Sequence, residues 1–223
     1  MKGKLIVIEG TDGSGKATQA GLLAARLERE GVPFREIDFP RYGSPFAEPV
    51  RLYLKGALGE RPGDVNACAA STFFAVDRYA SYREDWGGFY EAGGLILANR
   101  YTTSNAVHQA SKLEEGEREA FLAWLFDLEY RRLELPEPDL VLYLDLPPEL
   151  SERMLRRREA KTGAEADIHE RDAGYLRRCR ENARQVALSL GWQVVDCARE
   201  GAVRPPEEIH ADLWGLVRPL LKP

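Results

Sequence analysis

Short apolar runs and longer segments of helical periodicity alternate along the chain. The predicted strands cover residues 4–8, 34–39, 95–98, 140–144 and 192–196. Those at 95–98 and 140–144 are short apolar runs of the kind that strands buried on both faces of a sheet show. The helical segments cover residues 19–30, 44–55, 64–82, 114–133, 148–158, 172–190 and 206–220. This order predicts an α/β fold: a doubly wound, five-stranded parallel sheet with helices on both faces and ligands at the carboxyl ends of its strands.

A single domain is expected for the whole chain, residues 1–223. A length of 223 residues suits one α/β domain, and no repeat, low-complexity tract or linker interrupts the pattern. Residues 160–170 are polar and include Lys-Thr-Gly, which favours a mobile flap. We therefore expect a lid segment at about 153–170.

Composition and charge exclude several classes of protein. The chain holds 31 Lys and Arg against 36 Asp and Glu, a net charge of −5, which argues against nonspecific nucleic-acid binding. No apolar run approaches the roughly 18 residues of a membrane span. The first residues lack the features of a secretory signal, so we expect a cytoplasmic protein without membrane partners. The 3 cysteines are far apart and show no zinc-binding spacing.

A glycine-rich segment joins the first predicted strand to the first predicted helix. Its residues are Gly10, Thr11, Asp12, Gly13, Ser14, Gly15 and Lys16. Glycines at this spacing let backbone N–H groups and the helix N-terminus converge on phosphate oxygens, and the lysine adds a cation for the outer phosphates. The position between strand and helix therefore predicts a phosphate-binding loop.

The residue after this lysine departs from the usual pattern. A Ser or Thr is expected there to hold Mg²⁺, but the chain has Ala17, followed by Thr18. Two interpretations stay open. Either the metal is held through water and the oxygens of the nucleotide, or the affinity for Mg²⁺ is reduced. In both cases we assign no side chain as a direct metal ligand.

Four further motifs follow the loop. They are Phe-Pro-Arg at 39–41, Phe-Phe-Ala-Val-Asp-Arg at 73–78, Asn-Arg-Tyr-Thr-Thr-Ser-Asn at 99–105 and Asp-Ile-His-Glu at 167–170. With the loop, and in this order, they make most of the chain similar to the thymidylate kinases, which transfer a phosphoryl group from ATP to dTMP. The resemblance implies a fold of the P-loop nucleoside-monophosphate kinase type, ATP as donor, Mg²⁺ as cofactor, dTMP as acceptor and a homodimer.

The resemblance places the acceptor base beside two of these motifs. It implies that Phe74 stacks on thymine and Phe73 belongs to the core, and that Arg78 hydrogen-bonds the exocyclic oxygen. An aromatic ring and a guanidinium on one helix face suit an uncharged pyrimidine edge. Spacing alone leaves open that both rings are core residues and the arginine is solvated. Ser104 and Asn105 match positions near the base, where an amide offers both a donor and an acceptor.

The phosphate and sugar of the acceptor are assigned by the same resemblance. Arg41 and Arg100 match positions that grip the dTMP phosphate, and arginine suits bidentate phosphate contacts. Asp12 matches a residue that touches the sugar 3′-hydroxyl, and Phe39 belongs to the acceptor site. His108 stands where many relatives carry an aromatic residue that disfavours a ribose 2′-hydroxyl, although a lone histidine is more often a structural or a surface residue.

Arginines of the segment 148–158 match the family's lid. Spacing puts Arg153 and Arg157 on one helix face, so we expect Arg153 at ATP and Arg157 at the migrating phosphoryl group, with Arg156 or Arg158 solvated. ATP is expected on residues 10–18. Phosphoryl transfer chiefly needs alignment and positive charge, and the acceptor phosphate is itself the nucleophile. The predicted catalytic residues are Lys16, Arg100 and Arg157.

Two further positions differ from the family. Asn99 stands where a carboxylate usually precedes the arginine, and an amide cannot supply that charge. Gly13 stands where some relatives place an arginine in the loop, and relatives without it supply arginine from the lid.

Three alternatives stay open for the function. They are a nucleotide-binding regulator without activity, suggested by Ala17 and Asn99; a kinase for another deoxynucleotide such as dUMP; and a deoxynucleoside kinase. The pairing of Arg41 with Arg100 favours a phosphorylated acceptor.

The apolar stripe of the segment 114–133 is compatible with a homodimer interface and equally with core burial. Its residues are Phe121, Trp124, Leu125 and Leu128.

Overall fold

The computed structural model describes residues 2–162 and 167–221. Its main strands are β1 Lys4–Gly10, β2 Phe34–Asp38, β3 Leu95–Asn99, β4 Leu140–Asp145 and β5 Gln193–Asp196. They form one parallel sheet in the order β2–β3–β1–β4–β5. The predicted five-stranded parallel sheet is confirmed. A short antiparallel pair, β6 Ala198–Arg199 and β7 Ala202–Val203, was not predicted.

Helices connect the strands. The α-helices are α1 Lys16–Arg29, α2 Glu48–Leu54, α3 Ala67–Ser81, α4 Gly87–Glu91, α5 Thr102–His108, α6 Glu115–Phe126, α7 Pro148–Thr162, α8 Ala173–Ser189 and α9 Pro206–Val217. Short 3₁₀ segments cover Pro45–Ala47, Pro62–Asp64, Ala110–Lys112 and Arg218–Leu221, and π-helical turns cover Tyr82–Trp86 and Asp127–Arg132. None of the helices in these described ranges is both long and apolar enough to cross a membrane.

Alternate residues of β1 supply two cores on opposite faces of the sheet. Ile6 and Ile8 pack against α1 and α9, whereas Leu5 and Val7 pack in a second cluster with Trp86. All five side chains are fully buried. Because successive side chains of a strand point to opposite faces, this pattern confirms that helices cover both sides of the sheet.

Several helix boundaries differ from the sequence prediction for local reasons. The segment 44–55 contains a 3₁₀ turn before α2, because Pro49 has no N–H and fits only the first turn of an α-helix. Helix α3 begins at Ala67, where the Asn66 side chain accepts a hydrogen bond of 2.8 Å from the Ala69 N–H. Helix α5 was not predicted, because it is short and rich in Thr, Ser and Asn.

The carboxyl ends of the strands lie along one edge of the sheet. The phosphate loop leaves β1 there, and α5 follows the end of β3. Asp145, the last residue of β4, is buried and pairs with Arg180 at 2.6 Å and Arg184 at 2.7 Å. These ion pairs hold α8 against β4 beside the edge at which ligands are expected.

Two sequence expectations concern the helices around this edge. Of the expected flap 160–170, residues 163–166 lie outside the described residues, while residues 167–170 form a turn in which Ile168 and His169 are buried. In the apolar stripe of α6, Phe121 and Leu125 are buried within the chain. That part of the stripe is core.

Candidate active site

A cavity of about 650 Å³ opens at the carboxyl ends of β1, β2 and β3. Separate segments of the chain converge on it: the phosphate loop, the ends of β2 and β3, helices α3, α5 and α7, and the 167–170 turn. The lining includes Asp12, Lys16, Thr18, Asp38, Phe39, Phe74, Arg78, Asn99, Arg100, Ser104, Asn105, His108, Arg158, Asp167, His169 and Glu170. Most acceptor-site residues proposed from the sequence therefore meet in one cavity.

The loop has the backbone geometry of an anion cradle. Gly15, at φ 94°, precedes α1 directly, so the N-terminus of this helix faces the cavity. The Lys16 ammonium donates to the carbonyls of Gly10 at 2.8 Å and Thr11 at 2.9 Å. Burial and the neighbouring Arg100 charge lower the pKa of Lys16 to about 8. A phosphate that entered the loop would relieve this repulsion.

Gly13 is required by close packing as well as by its backbone. Its φ of 80° favours glycine, and a Cβ built there would lie 2.7 Å from the Ser151 carbonyl oxygen of α7. The Ser151 hydroxyl also donates a hydrogen bond to the carbonyl of Asp12. Helix α7 therefore rests on the loop, and this arrangement leaves no room at position 13 for the arginine of some relatives.

Arg100 is the central cation of the cavity. It is a non-glycine residue at φ 67°, and this unusual backbone turns its side chain toward the loop. Its guanidinium donates to Asp12 Oδ1 and, at 3.3 Å, to Ser104 Oγ, and it lies 3.8 Å from Glu9 Oε1. Burial alone would lower the pKa of Arg100, but the Asp12 and Glu9 carboxylates raise it above its usual value.

Asp12 is ionised by the same arrangement. Burial by itself would raise its pKa, but the Arg100 and Lys16 charges outweigh burial and hold the pKa of this carboxyl well below its usual range. The carboxylate is available as a hydrogen-bond acceptor at the mouth of the loop.

Glu9 is a site residue that sequence reasoning missed. Its fully buried carboxylate accepts hydrogen bonds from Thr103 Oγ1 at 2.8 Å and Ser104 Oγ at 2.7 Å. It thereby connects β1 to α5 directly behind Arg100. A charged residue at the end of an otherwise apolar strand is a signal that could have identified it.

Phe74 and Arg78 occupy one wall of the cavity. The ring of Phe74 lies edge-on to Tyr53, with centroids 6.2 Å apart. Phe73 and Phe74 both pack against the same core cluster, and Phe74 also lines the cavity. Arg78 is 1% exposed and donates from Nε and Nη2 to both carboxylate oxygens of Glu129, at 2.6 and 2.5 Å. The guanidinium therefore reaches the cavity as half of a buried ion pair.

Glu129 holds the polar side chains of this wall in place. It is fully buried, accepts a hydrogen bond of 2.7 Å from Thr102 Oγ1, and lies 3.4 Å from the Asn105 amide nitrogen. The sequence carries a signal for it, because Glu129 continues the buried positions Phe121 and Leu125 at a spacing of four. A carboxylate on the buried face of a helix needs a cationic partner.

Two neutral histidines form another wall. The rings of His108 and His169 stack with centroids 5.5 Å apart and an interplanar angle of 11°. Burial and the Arg100 charge lower the pKa of His108 to about 3, and burial lowers that of His169 well below its usual value. His169 Nε2 lies 2.8 Å from the Tyr53 hydroxyl, which accepts from Lys112 at 2.9 Å.

The turn at 167–170 joins the lid helix to the cavity. The Asp167 carboxylate accepts backbone hydrogen bonds of 2.8 and 2.9 Å from His169 and Glu170. Burial, followed by the Asp12 charge, raises the pKa of Asp167 to about 7. Glu170 pairs with Arg158 of α7 at 2.6 Å. This contact holds the C-terminal part of α7 against the turn.

Three arginines proposed from the sequence do not line this cavity. The Arg41 guanidinium turns toward Asp77 at 3.0 Å and Glu84 at 3.4 Å. Arg153 and Arg157 of α7 are exposed, and Arg158 is the α7 arginine at the cavity wall. The expected roles of Arg41, Arg153 and Arg157 stay predictions.

Metal-binding groups are sparse in the part of the chain that the structure describes. No cluster of three or more His, Cys, Asp or Glu side chains there could hold a metal ion. The amide of Asn99 donates from Nδ2 to Asp38 Oδ1 at 3.0 Å, and its buried Oδ1 has no hydrogen-bond partner among the described residues. This pair lies on the cavity wall, and both of its side chains carry oxygen atoms, which Mg²⁺ prefers.

Similarity to known proteins identifies the family of this chain. The profile of the thymidylate kinase family matches residues 8–211. The thymidylate kinase of Mycobacterium tuberculosis is 34% identical over 190 residues, which cover 84% of this chain and 87% of that protein. This chain belongs to the thymidylate kinase family. The family is one of nucleotide kinases, in agreement with the phosphate loop.

Other thymidylate kinases match over nearly the full chain. The one from Rhodopseudomonas palustris is 32% identical across 98% of this chain and 90% of its own length, and a probable thymidylate kinase from Pyrobaculum aerophilum is 29% identical across 97% of both. A solved thymidylate kinase from Candida albicans superposes with a TM-score of 0.71 at 20% identity, over 98% of this chain and 92% of that one. The last match supports the fold alone.

Proposed function

We propose that this protein transfers the γ-phosphoryl group of ATP to dTMP and so forms dTDP. The observation that carries the proposal is that the phosphate loop, Arg100 and the ring of Phe74 line one cavity. Membership of the thymidylate kinase family supports the same reaction.

The acceptor is bound by the wall of the cavity that Phe74 and Arg78 form. Phe74 offers a flat apolar face for the thymine ring, and Arg78, oriented by Glu129, offers a donor to an exocyclic oxygen. Asn105 faces the same space and can complement an imide edge. Asp12 accepts from the sugar hydroxyl. The stacked ring of His108 closes the sugar side, where it disfavours an additional 2′-hydroxyl.

The donor lies on residues 10–18, and the transfer depends on cations. The acceptor phosphate attacks the γ-phosphorus of ATP, so no general base is needed. Lys16 and Arg100 reduce the repulsion between the two phosphates and favour charge developing on the migrating group. Arg157 and Arg153 approach when the lid segment adjusts to ATP, and Arg158 already stands at the cavity.

Mg²⁺ is part of the proposed reaction. The Asp38 carboxylate lines the cavity and would offer an oxygen ligand to a hydrated magnesium ion, which keeps several waters. When bound with the nucleotides, the ion neutralises phosphate charge.

A dimer is proposed as the state in solution. Exposed apolar side chains cluster on α3 and the turn before α2, at Val76, Tyr79 and Phe46. A second copy of the chain would cover them. Light scattering after gel filtration tests this, and a monomeric mass at micromolar concentration would contradict it. The cytoplasmic location expected from the sequence stays a prediction.

The test of the function is an acceptor panel. ADP release is followed with ATP and Mg²⁺ while dTMP, dUMP, thymidine and the ribose analogue of dTMP are compared. We expect dTMP to give the largest kcat/KM and thymidine to give no activity. Preference for dUMP would support the alternative acceptor. Activity with none of the four would favour the regulator suggested by Ala17 and Asn99.

A further inference from the structure

A second cavity, of about 570 Å³, opens at the amino ends of β4 and β5. This is the edge of the sheet opposite to the carboxyl ends, and no described residue lines both this cavity and the candidate active site. Its lining comes mainly from the end of α6 with the π-helical turn after it, from the segment before β4, and from the residues that join α8 to β5. Cavities of this volume suit small molecules, and π-helical turns are frequent at functional sites. The proposed phosphoryl transfer gives this cavity no role.

Three aromatic side chains form a flat wall in the second cavity. The rings of Phe126 and Tyr130 stack with centroids 5.4 Å apart and an interplanar angle of 6°. Trp192 is half-buried and packs against three core clusters, which fix the position of its indole. All three side chains line the cavity. Aromatic rings held in this way offer faces and edges on which another ring can pack.

Two of the three carboxylates that line the second cavity are already neutralised. Arg132 pairs with Asp127 at 2.5 Å, and Lys4 pairs with Asp139 at 2.8 Å. Both basic residues lie outside the cavity lining. The paired carboxylates therefore give the cavity little attraction for a cation.

One carboxylate and one guanidinium remain at the second cavity. Glu137 and Arg131 line it, and neither forms an ion pair within residues 2–162 and 167–221. Their opposite charges cancel. Gln193 adds an amide that both donates and accepts hydrogen bonds. This set of groups favours an uncharged ligand with hydrogen-bond donors and acceptors over an ion.

We propose that the second cavity binds an uncharged planar heteroaromatic compound with the size and the hydrogen-bonding edge of a nucleoside. Its ring packs on the aromatic wall, and its polar edge faces Arg131, Glu137 and Gln193. Stacking on aromatic side chains suits every nucleobase, because each has a flat π-face. The site is separate from the donor and acceptor positions of the proposed reaction, so it is tested by binding and not by turnover.

The probe is adenosine, followed by isothermal titration calorimetry in protein saturated with dTMP and a non-hydrolysable ATP analogue. The two nucleotides fill the candidate active site, so further binding reports on another place. Trp192→Leu removes one ring of the wall and should weaken adenosine binding about tenfold or more, the scale of one base–aromatic stack. The control is Trp214→Leu, which should bind like wild type. Trp214 is also half-buried, but it lies against Arg26 and does not line the cavity.

A second variant keeps the proposal testable if Trp192→Leu does not fold. Gln193→Ala changes an exposed side chain at the start of β5 and leaves the backbone pairing with Leu142 in place. It should weaken adenosine binding about threefold to tenfold, because a hydrogen bond to the edge of the ring is lost.

Two results would overturn the proposal. One is wild-type protein that binds no adenosine at about 1 mM, a concentration that detects even weak sites. The other is adenosine affinity equal to wild type in the folded cavity variants. Neither result bears on dTDP formation, which the acceptor panel tests separately.

Discussion

Replacing Glu129 with Gln tests whether the acceptor wall depends on a buried ion pair. Arg78 and Glu129 are 1% and 0% exposed, and two hydrogen bonds join them. Removing one charge of such a pair leaves the other buried and unpaired, which costs about 3–5 kcal/mol. Gln keeps one acceptor oxygen, so we expect the lower end of this range, about 3 kcal/mol.

The assay is thermal unfolding combined with steady-state kinetics. At about 2–4 °C per kcal/mol for a chain of this length, the Tm should fall by about 6–12 °C. The KM for dTMP should rise about tenfold, because Arg78 loses its fixed orientation, while kcat changes less. The control is Glu119→Gln, at an exposed position of α6 that does not line the cavity, with an expected change within about 0.5 kcal/mol. A Tm for Glu129→Gln within about 1 °C of wild type, which is roughly the error of the measurement, would refute the reasoning.

Three further changes test other parts of the site. Lys16→Met should lower kcat about a hundredfold or more, because it removes a cation from the phosphates. The Tm should not fall, because an apolar chain replaces a buried charge. A kcat within about twofold of wild type, roughly the scatter of such assays, would contradict this. Gly13→Ala should destabilise the protein by about 1–3 kcal/mol in chemical denaturation, since its Cβ meets Ser151; unchanged stability would show that α7 does not rest on the loop. Because the folded-state pKa of Asp167 is raised to about 7, wild-type stability should fall from pH 4 to pH 7 as this carboxyl ionises. Asp167→Asn should remove that part of the pH dependence, and identical profiles would contradict the assignment.

The features that the sequence predicted well are those encoded by neighbouring residues. Each buried strand is a contiguous apolar run, so β1 and β4 were recognisable without knowledge of their partners. The phosphate loop is equally local, because its glycines, lysine and helix start lie within one short segment. Helix α5 was missed because its Thr-, Ser- and Asn-rich sequence is a weak helix former, and packing against α8 and the sheet stabilises it instead.

Partners that are distant in sequence could not be predicted in the same way. Arg78 and Glu129 are 51 positions apart, and their contact depends on how α3 packs beside α6. The choice among the arginines of α7 depends on the rotation of that helix against the loop, which Ser151 and Gly13 determine by close packing. Spacing identified a common face for Arg153 and Arg157 but could not establish which face meets the cavity.

The most direct test of the central claim is a crystal structure with dTMP and a non-hydrolysable ATP analogue bound together. We predict that the thymine ring stacks on Phe74, that the dTMP phosphate lies beside Arg100, and that the outer phosphates of the analogue occupy the loop at 10–16. A thymine ring bound away from Phe74, or a phosphate loop left empty at saturating nucleotide, would contradict the account.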